Sequence, residues 1–305
     1  MRSSGILLAL VLLLGGAAML VPNFLSWVNL TGVALSMATV GILSCTMLLC
    51  LAAGDFDLSI GSVVAFAGVL AAVVTNASGS VALGLASGVL AGGVVGVVNG
   101  LVVAGLGINA LITTLASMQI VRGLSYIVSD GRAVGVRETS FFALGITSLL
   151  GIPTPVWIMV AFFAAFGLVL DRTVFGRNAL AIGGNREAAR LAGIAVTRTK
   201  VAIFTLQGLV AGLAGVILAA RMTSGQPTTA QGLELQVISA CVLGGVSLSG
   251  GVGTMSGVVV GVLIMGIVQN AMNLLHIPPF YQYVASGAIL LAAVLLDRIR
   301  QREAS

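Results

Sequence analysis

Residues 58–121 read LSIGSVVAFAGVLAAVVTNASGSVALGLASGVLAGGVVGVVNGLVVAGLGINALITTLASMQIV and contain no Asp, Glu, Lys or Arg. A helix crossing lipid needs about 20 predominantly apolar residues, so this stretch holds more than one crossing. Charge is equally absent from residues 3–54, 139–170 and 235–296. Hydrophobic residues make up 58% of the 305 and charged residues 8%, with a mean hydropathy of +1.15. A water-soluble core of this composition would have no polar shell, so lipid is the main solvent and the chain is an all-α polytopic membrane protein.

Polar and Gly/Pro breaks predict about ten transmembrane helices, over 5–21, 32–53, 59–75, 81–105, 110–128, 155–170, 201–220, 234–247, 254–273 and 281–296. The apolar run after Arg2 resembles a signal peptide, but so many spans follow that it reads as an uncleaved first helix. The whole of 1–305 reads as a single transmembrane domain, with 171–200 a loop within it. Lys and Arg orient it, because cytoplasmic loops carry the excess of positive charge. The loop 171–200 holds Arg172, Arg177, Arg186, Arg190, Arg198 and Lys200, and the tail holds Arg298, Arg300 and Arg302. Both are expected inside, with both termini, leaving 129–154 and the polar loop Arg221–Glu234 outside.

Glycine recurs every fourth residue from Gly84 to Gly100, and again at Gly253, Gly257 and Gly261. Such spacing lets helix backbones approach closely in lipid. Cys45, Cys50 and Cys241 all sit in apolar runs and read as small core residues. The net charge of +5 is confined to particular loops and is no nucleic-acid footprint.

Several chemistries are excluded. The single lysine, Lys200, follows Thr199 rather than glycine, so no phosphate-binding G-x-x-x-x-G-K-[ST] loop exists and the chain hydrolyses no ATP. The lone His276 has no nucleophile or metal ligands near it in sequence, so no catalytic residue and no metal site is expected. Transport is the remaining class.

Within the basic loop, Gly183-Gly184-Asn185-Arg186-Glu187-Ala188-Ala189-Arg190-Leu191-Ala192-Gly193 combines good helix formers with a terminating glycine. A short exposed helix of this kind can dock in a partner's groove and transmit motion. Ala188 and Ala189 would allow close approach, and Glu187 and Arg190 would set the register. A plain solvated loop helix is the alternative.

That E-A-A…G pattern resembles the coupling segment of ABC-importer permeases. Gly54-Asp55-Phe56-Asp57-Leu58-Ser59-Ile60-Gly61-Ser62 resembles the early signature of the ribose/xylose/arabinose permease family. So do Arg221-Met222-Thr223-Ser224-Gly225-Gln226-Pro227, Gly232-Leu233-Glu234-Leu235 and the stretch from Val242 to Gly251. The run Asn109–Gly123 is similar to the arabinose-transporting members in particular. The resemblance implies a multi-pass protein of the bacterial inner membrane, working as two permease copies in lipid. It also implies a cytoplasmic ABC ATPase that binds ATP and Mg, and a periplasmic sugar-binding protein, with no cofactor in this chain. Gly184, Asn185, Glu187, Ala188, Ala189 and Gly193 would then couple to the ATPase.

A neutral sugar needs uncharged donors and acceptors along its route. Thr114, Ser117, Ser125 and, at the edge, Arg122 share one face of the 110–128 helix, and Gln269, Asn270 and Asn273 share one face of the 254–273 helix. Interhelical hydrogen bonding is the competing role for both faces. Arg122 either faces a cavity or reaches outward to the interface. Asp57, ahead of Leu58 and Ser59, suits a helix cap; alternatively Gly54 breaks a helix and presents Asp55 and Asp57 to the route. Arg221 and Glu234 are expected to dock the binding protein. A secondary transporter driven by an ion gradient would require buried titratable groups, and neither Asp55, Asp57 nor Arg122 reads as clearly buried. A passive channel would need no coupling helix. Arabinose, ribose, xylose and galactose remain open as substrates.

Overall fold

The computed structural model describes residues 2–304, with the side chains of residues 2–4, 279, 293 and 296–304 excepted. The side chains of Arg298, Arg300 and Arg302, read above as a cytoplasmic cluster, therefore lie outside the described residues. The helices are α1 (Arg2–Leu20), α2 (Trp27–Ala52), α3 (Ile60–Ser78), α4 (Val81–Gly100, continued by a π turn over Leu101–Gly105) and α5 (Ala110–Ser129). Next come β1 (Val134–Gly135), a 3-10 turn (Thr139–Phe142), α6 (Ala143–Ile146), and a hairpin of β2 (Ser148–Leu149) and β3 (Ile152–Pro153). The remainder comprises α7 (Thr154–Arg172), α8 (Val174–Gly184), α9 (Arg186–Leu191), α10 (Val196–Met222), β4 (Ser224–Gly225), α11 (Leu233–Leu243), α12 (Met255–Leu274) and α13 (Pro279–Ala304). Helix starts follow local chemistry: Ser26, Ser80, Asn109, Asn185 and Thr254 each accept a backbone N–H of the first turn.

Each of the ten predicted stretches contains a helix. Among the described residues seven helices are long and apolar enough to cross a membrane, namely α2, α3, α4 with its π turn, α5, α7, α10 and α12. The other apolar helical stretches, Gly5–Leu20, Leu233–Leu243 and Phe280–Ala292, are shorter. At 11 residues, α11 rises only about 16 Å, half of a bilayer's hydrocarbon core.

The chain forms two compact units, one of Met1–Gly54, Met159–Gly184 and Leu235–Ser305, the other of Asp55–Ile158 and Asn185–Glu234. In the first, α12 packs on α1 and α2, with Leu10, Ala17, Val21, Phe24 and Ile267 forming an apolar cluster. Helices α11 and α12 form an antiparallel hairpin closed by the second glycine stripe, where Gly257 faces the Gly244 carbonyl and Gly261 the Ala240 carbonyl. All three cysteines are buried, as expected of core residues.

In the second unit, α4 runs antiparallel to both α3 and α10. Its glycines meet α10 in order, Gly88 against Gly212, Gly92 against Gly208, Gly96 against Phe204 and Gly100 against Val201. The contact is reciprocal: a methyl at Gly92 would strike the Gly208 carbonyl, and one at Gly208 the Gly92 carbonyl. Backbone cannot give way as a side chain does, so glycine is required on both faces. Helices α3 and α10 run parallel, Val64 against Gly215 and Gly68 against Gly215 and Ala219.

Candidate functional site

Helix α9 stands at the start of α10. Asn185 opens it, its Oδ1 accepting the Ala188 N–H at 2.9 Å. Gly193, at φ +83°, closes it: its N–H reaches the Arg190 carbonyl and the Ile194 N–H reaches the Ala189 carbonyl, both at 3.0 Å. This paired arrangement at a left-handed glycine satisfies carbonyls that a helix end leaves open. Gly193 thus ends the helix as the sequence led one to expect, and Asn185 caps its start. Ala189 is buried, whereas Arg186, Glu187, Ala188, Arg190 and Ala192 are exposed and Leu191 is 80% exposed. Glu187 and Arg190 approach to 3.9 Å at the surface, a pairing worth under about 1 kcal/mol. The helix is held at its two ends and presents most of its surface outward. Gly184, at the end of α8, rests in the first unit with Gly183 against Gly250 and Gly251.

Behind α9 lies an element that the sequence reading missed. Lys200, in the second turn of α10, places Nζ 2.9 Å from one carboxylate oxygen of Asp55 and 3.0 Å from the other. Both residues are buried, at 6% and 7% exposure. Counting Lys200 with the solvated basic loop was therefore wrong, and so was reading Asp55 and Asp57 as not clearly buried. They enter the interior because the helical part of α10 begins ahead of Lys200 and the 53–59 connection folds inward after Gly54. Burial raises the Asp55 pKa above the usual carboxylate range, against the pull of Lys200 and of Arg186. A chain with one lysine, and with two aspartates set between uncharged apolar runs, was the available signal; the pairing itself spans 145 positions.

Asp57 is 2% exposed, and burial raises its pKa, opposed by hydrogen bonds from Ser59. Its Oδ1 accepts the Ser59 N–H at 2.9 Å and the Ser59 hydroxyl at 2.6 Å. Ser59 itself occupies the cap position of α3, without a side-chain bond into the helix, so Asp57 braces the cap from two residues upstream. The Asn99 amide donates to Ser59 Oγ at 3.0 Å, and the Ser117 hydroxyl donates to Asn99 Oδ1. One hydrogen-bonded chain thus joins the start of α3, the end of α4 and the middle of α5.

The polar face of α5 is divided among several tasks. Thr114 is buried and bonds its own Ala110 carbonyl. Ser117 belongs to the chain just described, the interhelical alternative foreseen for it. Ser125 is buried with an unpartnered hydroxyl. Arg122 neither snorkels nor stands open, since its Nη1 donates to the Pro227 carbonyl at 2.6 Å and the Thr229 carbonyl at 2.9 Å. The segment it holds is not a plain external loop. Strand β4 pairs with β1, joining the 129–154 region to the end of α10, and the chain then runs back along α3. Gly225 backs onto Gly68 and Val69, and farther on the Ala230 carbonyl and Glu234 carboxylate sit over Gly61. Glu234 is drawn towards Arg122 by charge, and Arg221 ends α10 beside Gly145.

In the first unit, Asn270 and Asn29 exchange amide hydrogen bonds at 2.8 and 3.0 Å, tying α12 to α2. Asn273 accepts from Gln282 at 2.6 Å, and Gln269 is partly buried.

The chain matches, over residues 29–294, the family described as branched-chain amino acid transport system / permease component. It is 59% identical over 298 residues to the L-arabinose transport system permease protein AraH of Escherichia coli (strain K12), covering 98% of this chain and 91% of that protein. It is 55% identical over 300 residues to the L-arabinose ABC transporter permease protein AraH of Azospirillum brasilense, covering 98% and 88%. Identity to the ribose import permease protein RbsC of Escherichia coli (strain K12) is 38% over 299 residues, covering 97% and 93%. No solved structure matches the chain. A bundle of apolar helices with a doubly capped surface helix, matched across nearly its whole length by such relatives, belongs to the branched-chain amino acid transport system / permease component family.

Proposed function

We propose that this chain is the membrane permease subunit of an ATP-driven importer carrying L-arabinose into the bacterial cytoplasm. The observation that carries the proposal is the 59% identity to an L-arabinose permease across 98% of the chain. Two copies form the conduit, a cytoplasmic ATPase binds ATP and Mg, and a periplasmic binding protein delivers the sugar. Helix α9, exposed yet fixed at both ends, is the part the ATPase moves, through Glu187, Ala188 and the cap residues Asn185 and Gly193. The three shorter apolar helices, α11 together with the 244–254 connection that follows it, complete ten passages of the membrane, with both termini inside. The sugar passes the faces bearing Thr114, Ser117 and Arg122 and bearing Gln269, Asn270 and Asn273.

The test is uptake of labelled L-arabinose by vesicles containing the complete transporter. Vanadate-type inhibition of the ATPase is expected to stop uptake and an ionophore to leave it intact. Uptake that survives the block and collapses with the ionophore would reject an ATP-driven importer. Equal competition by ribose or xylose would reject arabinose as the preferred cargo.

A further inference from the structure

Asp55 and Lys200 form a fully buried pair, and buried pairs rarely repay the desolvation of their charges. Their contribution is better sought in register, and both ends of this pair are placed for it. Lys200 lies in the second turn of α10, which α9 enters through the bonds Ile194 N–H to Ala189 carbonyl and Val196 N–H to Ile194 carbonyl. Arg186, the first residue of α9, acts on Asp55 as a second positive charge. A displacement of α9 that the start of α10 follows therefore moves two cations relative to one carboxylate. Asp55 stands two residues from Asp57, which begins the Asp57–Ser59–Asn99–Ser117 chain into α3, α4 and α5. Where α3 and α4 meet, Gly84 and Gly88 of α4 lie directly against the Ala71 and Ala67 carbonyls of α3.

We propose that the Asp55–Lys200 pair is the positioning link that carries displacement of α9 to α3 and, through the buried polar chain, to α4 and α5. This rests on the reading of α9 as the coupling helix. Without the link, α9 would move while α3 kept its place, and ATP would be consumed without sugar crossing.

The experiment uses the complete transporter in proteoliposomes, measuring L-arabinose imported per ATP hydrolysed. In Asp55→Asn/Lys200→Met no lone charge is left buried, so the variant is expected to fold. Its arabinose imported per ATP is expected to fall about tenfold, within the usual scale of coupling between sites. Lys200→Arg, which keeps the charge, is expected to retain more than half of the wild-type ratio. A wild-type ratio in the double variant overturns the proposal, because a merely structural pair would not alter it. If the double variant does not fold, Asp55→Glu decides. It keeps the charge but lengthens the arm, so it must lower the ratio, and an unchanged ratio overturns the link. Glu187→Lys on α9 separates the two ideas. Normal import in that variant removes the coupling reading and the link with it, whereas import lost there but normal in Asp55→Asn/Lys200→Met removes the link alone.

Discussion

Gly193 is the residue on which the surface helix depends most simply. At φ +83° it occupies a region that costs an L side chain roughly 1–2 kcal/mol. Replacing it also endangers the two hydrogen bonds that close α9. Gly193→Leu is therefore expected to fray the helix and abolish arabinose uptake while leaving membrane insertion intact. Glu187→Lys should have the same effect through charge alone, because Glu187 is exposed and makes only one weak surface contact. Uptake assays on membranes with matched permease levels check both, and normal transport in the pair of variants would reduce α9 to an ordinary loop helix. Arg122 illustrates the opposite situation. Its position seven residues before the end of α5 left its target open, and the structure supplies two backbone carbonyls from a segment more than 100 positions away.

Helices α3, α4 and α10 show how packing without large side chains is specified. Lipid offers no hydrophobic force between helices, so close backbone approach and dispersion contacts must hold them. Gly92 and Gly208 meet face to face, each leaving room for the other's carbonyl. Gly92→Leu is expected to cost at least about 1–3 kcal/mol by overpacking, seen as a lower unfolding temperature in detergent. Gly123→Ala on α5, where a methyl meets nothing within 4 Å, should leave that temperature unchanged or raise it. Equal unfolding temperatures for the two variants would refute the stripe as a close contact. Helix α11 adds a second lesson at this scale. A polar break followed by an apolar run predicts a span over 234–247, but the helix stops at Leu243, where Gly244 and Gly245 follow. Gly245 turns at φ +85° much as Gly54 turns at +78° after α2, and the Ser249 N–H then bonds Ser247 Oγ as the Ser59 N–H bonds Asp57. The two turns thus share a local geometry.

At the scale of the molecule, sidedness is the property that joins the parts. In the second unit, α9 and Lys200 lie at the start of α10, and Arg221 with β4 and β1 at its far end. A cysteine introduced at Arg186 is expected to react with an impermeant thiol reagent only from the cytoplasmic side. One at Arg221 should react only from outside and be protected by the sugar-loaded binding protein. The natural cysteines are buried, so background labelling should be low. Reaction of the Arg186 site from outside would sink the assignment of α9 to an ATPase, and unprotected labelling at Arg221 would remove it from the docking face.

Composition and spacing alone determined that the chain lives in lipid, where its helices fall, that glycine stripes join them, and that a capped helix interrupts the basic loop. These properties are local or periodic, so neighbouring residues suffice to encode them. Only the tertiary structure decided that Lys200 leaves the solvated loop to meet Asp55, that Asp57 heads a buried hydrogen-bonded chain, and that Arg122 holds a returning segment. A buried charge must find its partner wherever the packed helices bring one within about 3 Å, and separation along the chain carries no record of that distance.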